Sequence, residues 1–242
     1  MPLDQIRIAA AASGLALRGA FHPEAGDLVP AAASGAPIGT LVLLGFAGPA
    51  QWPSFATSAE AMDAAPDPLD RWSRRIIGDL AAASGATAFY PFGGAPFLPF
   101  LAWARRAEPV HPSPLGMLIH PDWGLWHSYR GALGFTARLA LPAPDRRPSP
   151  CLTCSDRPCL SACPVGAFAP GRYDAGRCAT HLATAKAGAC NAAGCLARRA
   201  CPVGTEAEQP PAQAAFHLAA FRRAQQQYSG SPAPDAPDKL AP

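Results

Sequence analysis

The chain is short of charge and nearly without lysine. Charged residues make up 15% of its 242 positions, below the roughly 25% of an average soluble domain. Of the 20 cationic residues 18 are arginine, spread along the chain without a basic block, and the formal net charge is only +3. That balance lacks the dense positive footprint of a nucleic-acid binder, so nucleic acid is not expected among the partners. Long hydrophobic runs are missing as well. The longest uncharged stretch, residues 28–59, is broken by Pro30, Pro37, Pro49 and Pro53, so it supplies no span of about 20 apolar residues and no membrane partner is expected. The opening "MPLDQIRIAAAASGLALRG" places Asp4 before a short Ala-rich run that Arg18 closes, a poor export leader. The expected address is the cytoplasm. No Ser-His-Asp or metal-carboxylate constellation stands out, and His111, His127, His181 and His217 read as ordinary histidines.

Cysteine is absent from the first 150 residues. All eight fall between Cys151 and Cys201, and in a reducing compartment such clusters are more often metal ligands or redox groups than disulfides. Stapling is not needed on grounds of size, since a hydrophobic fraction of 49% over 242 residues can bury a real core.

The elements mix without a strict βαβ period, so the expected class is α+β. A short helix is predicted over 4–13, then a half-buried strand over "LALRGAF" (15–21) and a buried one over "GTLVLLGFAG" (39–48). In 67–85, Leu69, Trp72, Ile76 and Leu80 recur at helical spacing between Asp67-Pro68 and Gly85. A strand over 87–92, a helix over 96–107 and strands over 115–120 and 131–141 complete a first domain, 1–141. Residues 142–150 carry four prolines in nine positions and read as an extended linker. The cysteine domain follows at 151–204, a helix at 205–228 with Phe216, Ala220 and Phe221 on one face, and a disordered tail at 229–242.

Within the cysteine domain, Cys163 and Cys201 both sit in Ala-Cys-Pro-Val-Gly. In two-cluster ferredoxins the Cys before Pro at the end of one run ligates the other cluster. Applied here, Cys151, Cys154, Cys159 and Cys201 hold one [4Fe–4S] cluster, and Cys163, Cys178, Cys190 and Cys195 hold the second. The spacings, C-x2-C-x4-C-x3-C-P and then C-x11-C-x4-C-x5-C-P, differ from the bacterial C-x2-C-x2-C-x3-C-P. Three alternatives stay open. Disulfides need an oxidising compartment, structural zinc favours paired C-x2-C knuckles where only one occurs, and free buried cysteines do not gather in a fifth of a chain.

Residues 151–204 resemble the dicluster ferredoxin module of epoxyqueuosine reductases and reductive dehalogenases. The first part, through "FHP" (21–23), "TLVLLGFAGPAQW" (40–52), "DPLDRW" (67–72) and "IHPDWGLWHSYRG" (119–131), is similar to the cobalamin-processing MMACHC family. That resemblance implies a nitroreductase-like α+β domain holding cobalamin, with His120, Trp123, Gly124, Trp126 and Arg130 lining or supporting the pocket. Indoles give flat apolar area for a macrocycle, and an arginine can pair with an anionic group. "FYPFGGAPF" (89–97) would form the opposite wall, with Gly93 and Gly94 as permissive backbone. The sequence lacks a counterpart of the epoxyqueuosine reductases' acidic proton-donating set, their Gly-rich, Lys-containing stretch is replaced by "EPVHPSPLGM" (108–117), and the tRNA-binding extension is missing. Queuosine chemistry is therefore not expected. The expected function is a corrinoid-linked iron–sulfur reductase, in which a low-potential donor feeds two clusters that deliver single electrons to a corrinoid. The alternative is a ferredoxin-type electron carrier with no bound corrinoid.

Overall fold

The computed structural model describes residues 1–228; the tail expected to be disordered, 229–242, lies outside them. Along the chain come α1 (Leu3–Ala12), β1 (Ala16–Phe21), β2 (Thr40–Ala47), α2 (Trp52–Ala56), α3 (Ala59–Met62), α4 (Pro68–Ser84), β3 (Thr87–Phe89) and α5 (Phe100–Ala107). Then follow β4 (His111–Pro112), β5 (Leu118–Ile119), β6 (His127–Phe135), α6 (Pro158–Ser161), β7 (Phe168–Ala169), β8 (Arg172–Tyr173), α7 (Ala175–Leu182), α8 (Gly188–Ala193), α9 (Leu196–Arg199) and α10 (Pro211–Tyr228). The class is α+β.

The chain divides into two compact units, residues 1–110 with 127–147, and residues 111–126 with the chain from Pro148 onward. The expected first domain ran unbroken to 141. The structure takes 111–126 out of it, because that segment packs backbone to backbone with the second Cys-Pro-Val-Gly turn, as described below.

The first unit is built on an antiparallel sheet of order β1-β2-β6-β3. Its centre is β2, where Leu41, Val42, Leu43 and Leu44 are fully buried. Burial on both faces explains why this strand reads as a continuous apolar run rather than an alternation. On α4, Pro68 occupies the first turn and Gly85 caps the end in the left-handed region at φ 67°. Its buried stripe is Leu69, Trp72, Ser73, Ile77, Leu80 and Ala81. Ile77 takes the place expected for Ile76, because the small Ser73 and Ala81 belong to the stripe and turn it by part of a residue. Trp72 meets Phe46 and Phe55 with ring centres 5.9 Å apart in each case. Fully buried Trp103 on α5 donates its indole N–H to the Asp27 carbonyl at 2.7 Å, which satisfies the one polar atom it carries inside.

Five elements differ from the expected spans by more than a residue; β3 ends at Phe89 rather than 92, and α10 begins at Pro211 rather than 205. β6 covers 127–135, not 131–141, since the His127–Tyr129 stretch pairs with Gly45–Ala47 while 137–139 bonds to the Thr40 hydroxyl. Helix α5 begins at Phe100 rather than 96, because Pro96 and Pro99 hold the backbone ahead of it out of the helix. Only Leu118–Ile119 of the expected 115–120 strand pairs, with His111–Pro112.

In the second unit short helices and turns wrap two apolar clusters. One joins Leu115, Ile119 and Leu125 to Cys159, Ala197 and Cys201, and the other joins Leu182, Ala187 and Cys190, with Leu218 and Phe221 of α10 packed on it. The buried residues of α10 are Gln213 and Ala214, so its inner face runs 213–214–218–221. Of the expected face, Phe221 is shared; Phe216 and Ala220 are half-buried.

Candidate metal centre

The first four thiols are gathered by turns. Ser149 caps the Pro150–Leu152 turn, its hydroxyl accepting from the Cys151 N–H at 3.3 Å. Arg157, left-handed at φ 41°, reverses the chain so that Pro158 can open α6 and Cys159 falls in its first turn. Cys201 arrives from the end of α9, and with Cys151, Cys154 and Cys159 it lines one pocket closed by Ile119, Pro158 and Val203. Cys159 and Cys201 are buried, while Cys151 and Cys154 are half-buried.

The other four come from separate elements. Cys163 follows α6, Cys178 lies on α7, Cys190 on α8, and Cys195 is the N-cap of α9. The eleven residues between Cys178 and Cys190 hold the end of α7, a 3-10 turn and the start of α8, which is why this gap is so long.

Burial and neighbouring thiolates raise six of the thiols. Burial pushes the Cys151 thiol up, and the negative charges of Cys201, Cys159 and Cys154 push in the same direction. Cys159 is raised by burial, then by Cys201 and Cys154, and Cys201 by burial and Cys154. Cys178 is raised by burial and by Cys163, while Cys190 and Cys195 are raised by burial and by both Cys178 and Cys163. Each of these six thiols is pushed up only by members of the four expected to include it.

Backbone amides oppose these shifts. The N–H groups of Leu196, of Ala197 and Arg198, and of Val203 hold down Cys190, Cys195 and Cys201 respectively, and the Ala167 N–H lies 3.3 Å from the Cys163 sulfur. Such donors favour thiolate over thiol. Buried and half-buried sulfurs packed among apolar side chains, with backbone N–H groups beside them, form a donor set that a cation would complete. All eight are free thiols. Among the described residues no three His, Cys, Asp or Glu side chains close to the spacing of a single metal ion. A cube of four irons, each taking one thiolate, asks for a wider set than one zinc ion with Zn–S bonds of about 2.3 Å. Thiols with apolar neighbours and backbone donors nearby are donor chemistry that an iron–sulfur cluster takes.

Three residues that sequence reasoning passed over stand beside the sulfurs. Tyr173 hydrogen-bonds Cys178, which pulls that thiol down, and its own phenol is driven up by burial first and by this contact next. His181, read as ordinary, has Nε2 3.8 Å from the Cys190 sulfur; it lies three residues, one helical turn, after Cys178 on α7, the one signal that could have found it. Arg198 donates to the Leu125 carbonyl at 2.6 and 3.1 Å and to Gln209 at 3.2 Å. Its guanidinium lies 4.3 Å over the Trp126 ring, and burial lowers its pKa to about 10 although the nearby Cys195 charge favours the cation.

The residues expected around a corrinoid fall in both units. His120, Trp123, Gly124 and Trp126 belong to the cysteine unit, and Arg130 lies on β6 in the first. His120 is buried, and its Nδ1 accepts from the Asp122 and Trp123 N–H groups at 3.0 and 3.3 Å. Trp126 is buried beneath Arg198, whereas Trp123 is 37% exposed. Arg130 is paired with Asp70, donates to Ser73 at 3.0 Å and lies 5.1 Å over Phe92. Thus Arg130 does meet the 89–97 wall, while Trp126 and Arg130 are both engaged by protein.

No protein-family profile and no curated protein matches the chain. Among solved structures it is similar to an epoxyqueuosine reductase crystallised with a tRNA-Tyr stem loop, at 18% identity and a TM-score of 0.40 over 73% of this chain and 54% of that one. The Bacillus subtilis epoxyqueuosine reductase is similar at 17% identity and a TM-score of 0.39, over 72% and 51%. The chain thus spans about half the length of these structures. No helix among the described residues is long and apolar enough to cross a membrane.

Proposed function

We propose that this is an iron–sulfur redox protein whose second unit holds two [4Fe–4S] clusters and passes single electrons from a low-potential donor to an acceptor. The observation that carries this reading is the single pocket that Cys151, Cys154, Cys159 and Cys201 line together, with the other four cysteines gathered in the same unit. When bound, each cluster would supply a one-electron couple whose potential depends on hydrogen bonds to its sulfurs and on solvent exposure. The chain's own part is to exclude water and to aim backbone donors at the thiolates. Cys163 and Cys195 also pack on the apolar cluster that contains Cys159 and Cys201, so the two sets share a dry wall across which an electron can pass.

The acceptor in this proposal is a corrinoid bound by an MMACHC-like, nitroreductase-like first unit, and that part rests on the motifs of residues 21–131. A plain ferredoxin-type carrier is the second reading, favoured by the commitment of Trp126, Gly124 and Arg130 to protein partners. Electron paramagnetic resonance of the dithionite-reduced protein titrated anaerobically with cob(II)alamin separates them. Cluster signals with base-off cobalamin support the reductase. Cluster signals with cobalamin unchanged leave the carrier, and the absence of cluster signals overturns both.

A further inference from the structure

The arginines that look scattered in the sequence are not scattered in the fold. A cleft of about 1070 Å³ in the first unit runs along the edge strand β1, the end of α5 and the stretch after β6, and Arg7, Arg18, Arg105, Arg106, Arg138 and Arg146 all line it. Its three acids are already engaged. Glu108 holds Arg18 at 2.9 Å, Glu24 holds Arg106 at 3.1 Å, and Asp145 holds Arg147 at 2.8 Å. Arg105, Arg138 and Arg146 have no ion pair or hydrogen bond among the described residues, and all three are exposed. Gathering unpaired like charges in a concavity is unfavourable unless an anion enters it.

We propose that this cleft binds a small phosphorylated ligand of the nucleoside di- or triphosphate class. Guanidinium forks match phosphate oxygens in pairs, and free guanidinia from two separate segments suit a ligand with more than one negative group. The volume lies just above the usual range of about 300–1,000 Å³ for a single ligand site. Leu17, Phe21, Leu141 and Pro142 supply an apolar wall for a base. The Arg18–Glu108 pair, almost fully buried and joined by the Tyr129 hydroxyl, fixes the floor.

The test is calorimetric titration of the full chain at low salt with ADP, pyrophosphate, adenosine and a stem-loop RNA, repeated on R105Q/R138Q/R146Q. Those three side chains are exposed, so the variant keeps the fold, which its circular dichroism and melting temperature check. The expected result is that ADP and pyrophosphate bind, adenosine binds at least about tenfold more weakly, and the variant loses at least about tenfold for ADP, a free-energy change of about 1.4 kcal/mol. Equal binding of adenosine, unchanged ADP affinity in the variant, or binding of the RNA without ADP would each overturn the proposal. None of these outcomes depends on cluster content, so the result is independent of the redox reading.

Discussion

Gly124 lies against the carbonyl of Val203 so closely that a Cβ would collide with it, and Gly204 in turn lies against the backbone of Trp123. The two glycines, left-handed at φ 52° and 70°, let the turn closed by the His120–Gly124 bridge sit directly on the second Cys-Pro-Val-Gly turn. At Gly124 the close approach is made by the chain itself. G124A should therefore destabilise the cysteine unit by about 1–3 kcal/mol through overpacking alone, with left-handed strain adding to it. Denaturant unfolding followed by tryptophan fluorescence measures this, and an unchanged midpoint would contradict it.

Arg198 ties three segments of the same unit together, through the Leu125 carbonyl, Gln209 and the Trp126 face. R198A removes charge-assisted bonds in a buried place and should cost about 1.5–3 kcal/mol. R198K keeps the charge without the planar fork and should recover only part of it.

Cys201 and Cys163 occupy the same place in a repeated pentapeptide, yet the proposed assignment puts them in different fours. C201S should disturb the cluster proposed for Cys151, Cys154 and Cys159 and leave the other intact, while C163S should do the reverse. Spectra of the two variants showing loss of the same cluster would refute the crossed pairing.

In the first unit, Glu60 is paired with Arg75 at 2.6 Å. The Arg75 hydrogen bond holds its carboxyl at about 2, below its ordinary 4.5, against the opposing effect of burial. With the folded value depressed, the pair's stabilisation is fully present above about pH 4.5 and is lost as the pH falls through 2. E60Q should lower stability at neutral pH by about 0.5–1 kcal/mol, since Arg75 is half exposed. It should also flatten the acid limb of the stability curve, as thermal melts between pH 2 and 7 would report.

The sequence discloses most where one physical demand dominates. The apolar run of β2 and the Pro68 and Gly85 punctuation of α4 are local signals, and the helices and strands they announce are there. The repeated Cys-Pro-Val-Gly is the sequence signal behind the two proposed fours. What stayed hidden depends on contacts distant in sequence. The path of 111–126 into the cysteine unit is set by Gly124 meeting Val203, about 80 residues away. Arg198 shows no sequence pattern toward Trp126, and the arginine cleft assembles from four segments, none of them basic as a block.

The central claim is that the two fours hold clusters. Iron and acid-labile sulfide counted on anaerobically purified protein, with Mössbauer spectra of the same sample, test it most directly. The account predicts about eight irons and eight sulfides per chain in two [4Fe–4S] environments. Zinc in place of iron, with no sulfide, would contradict it.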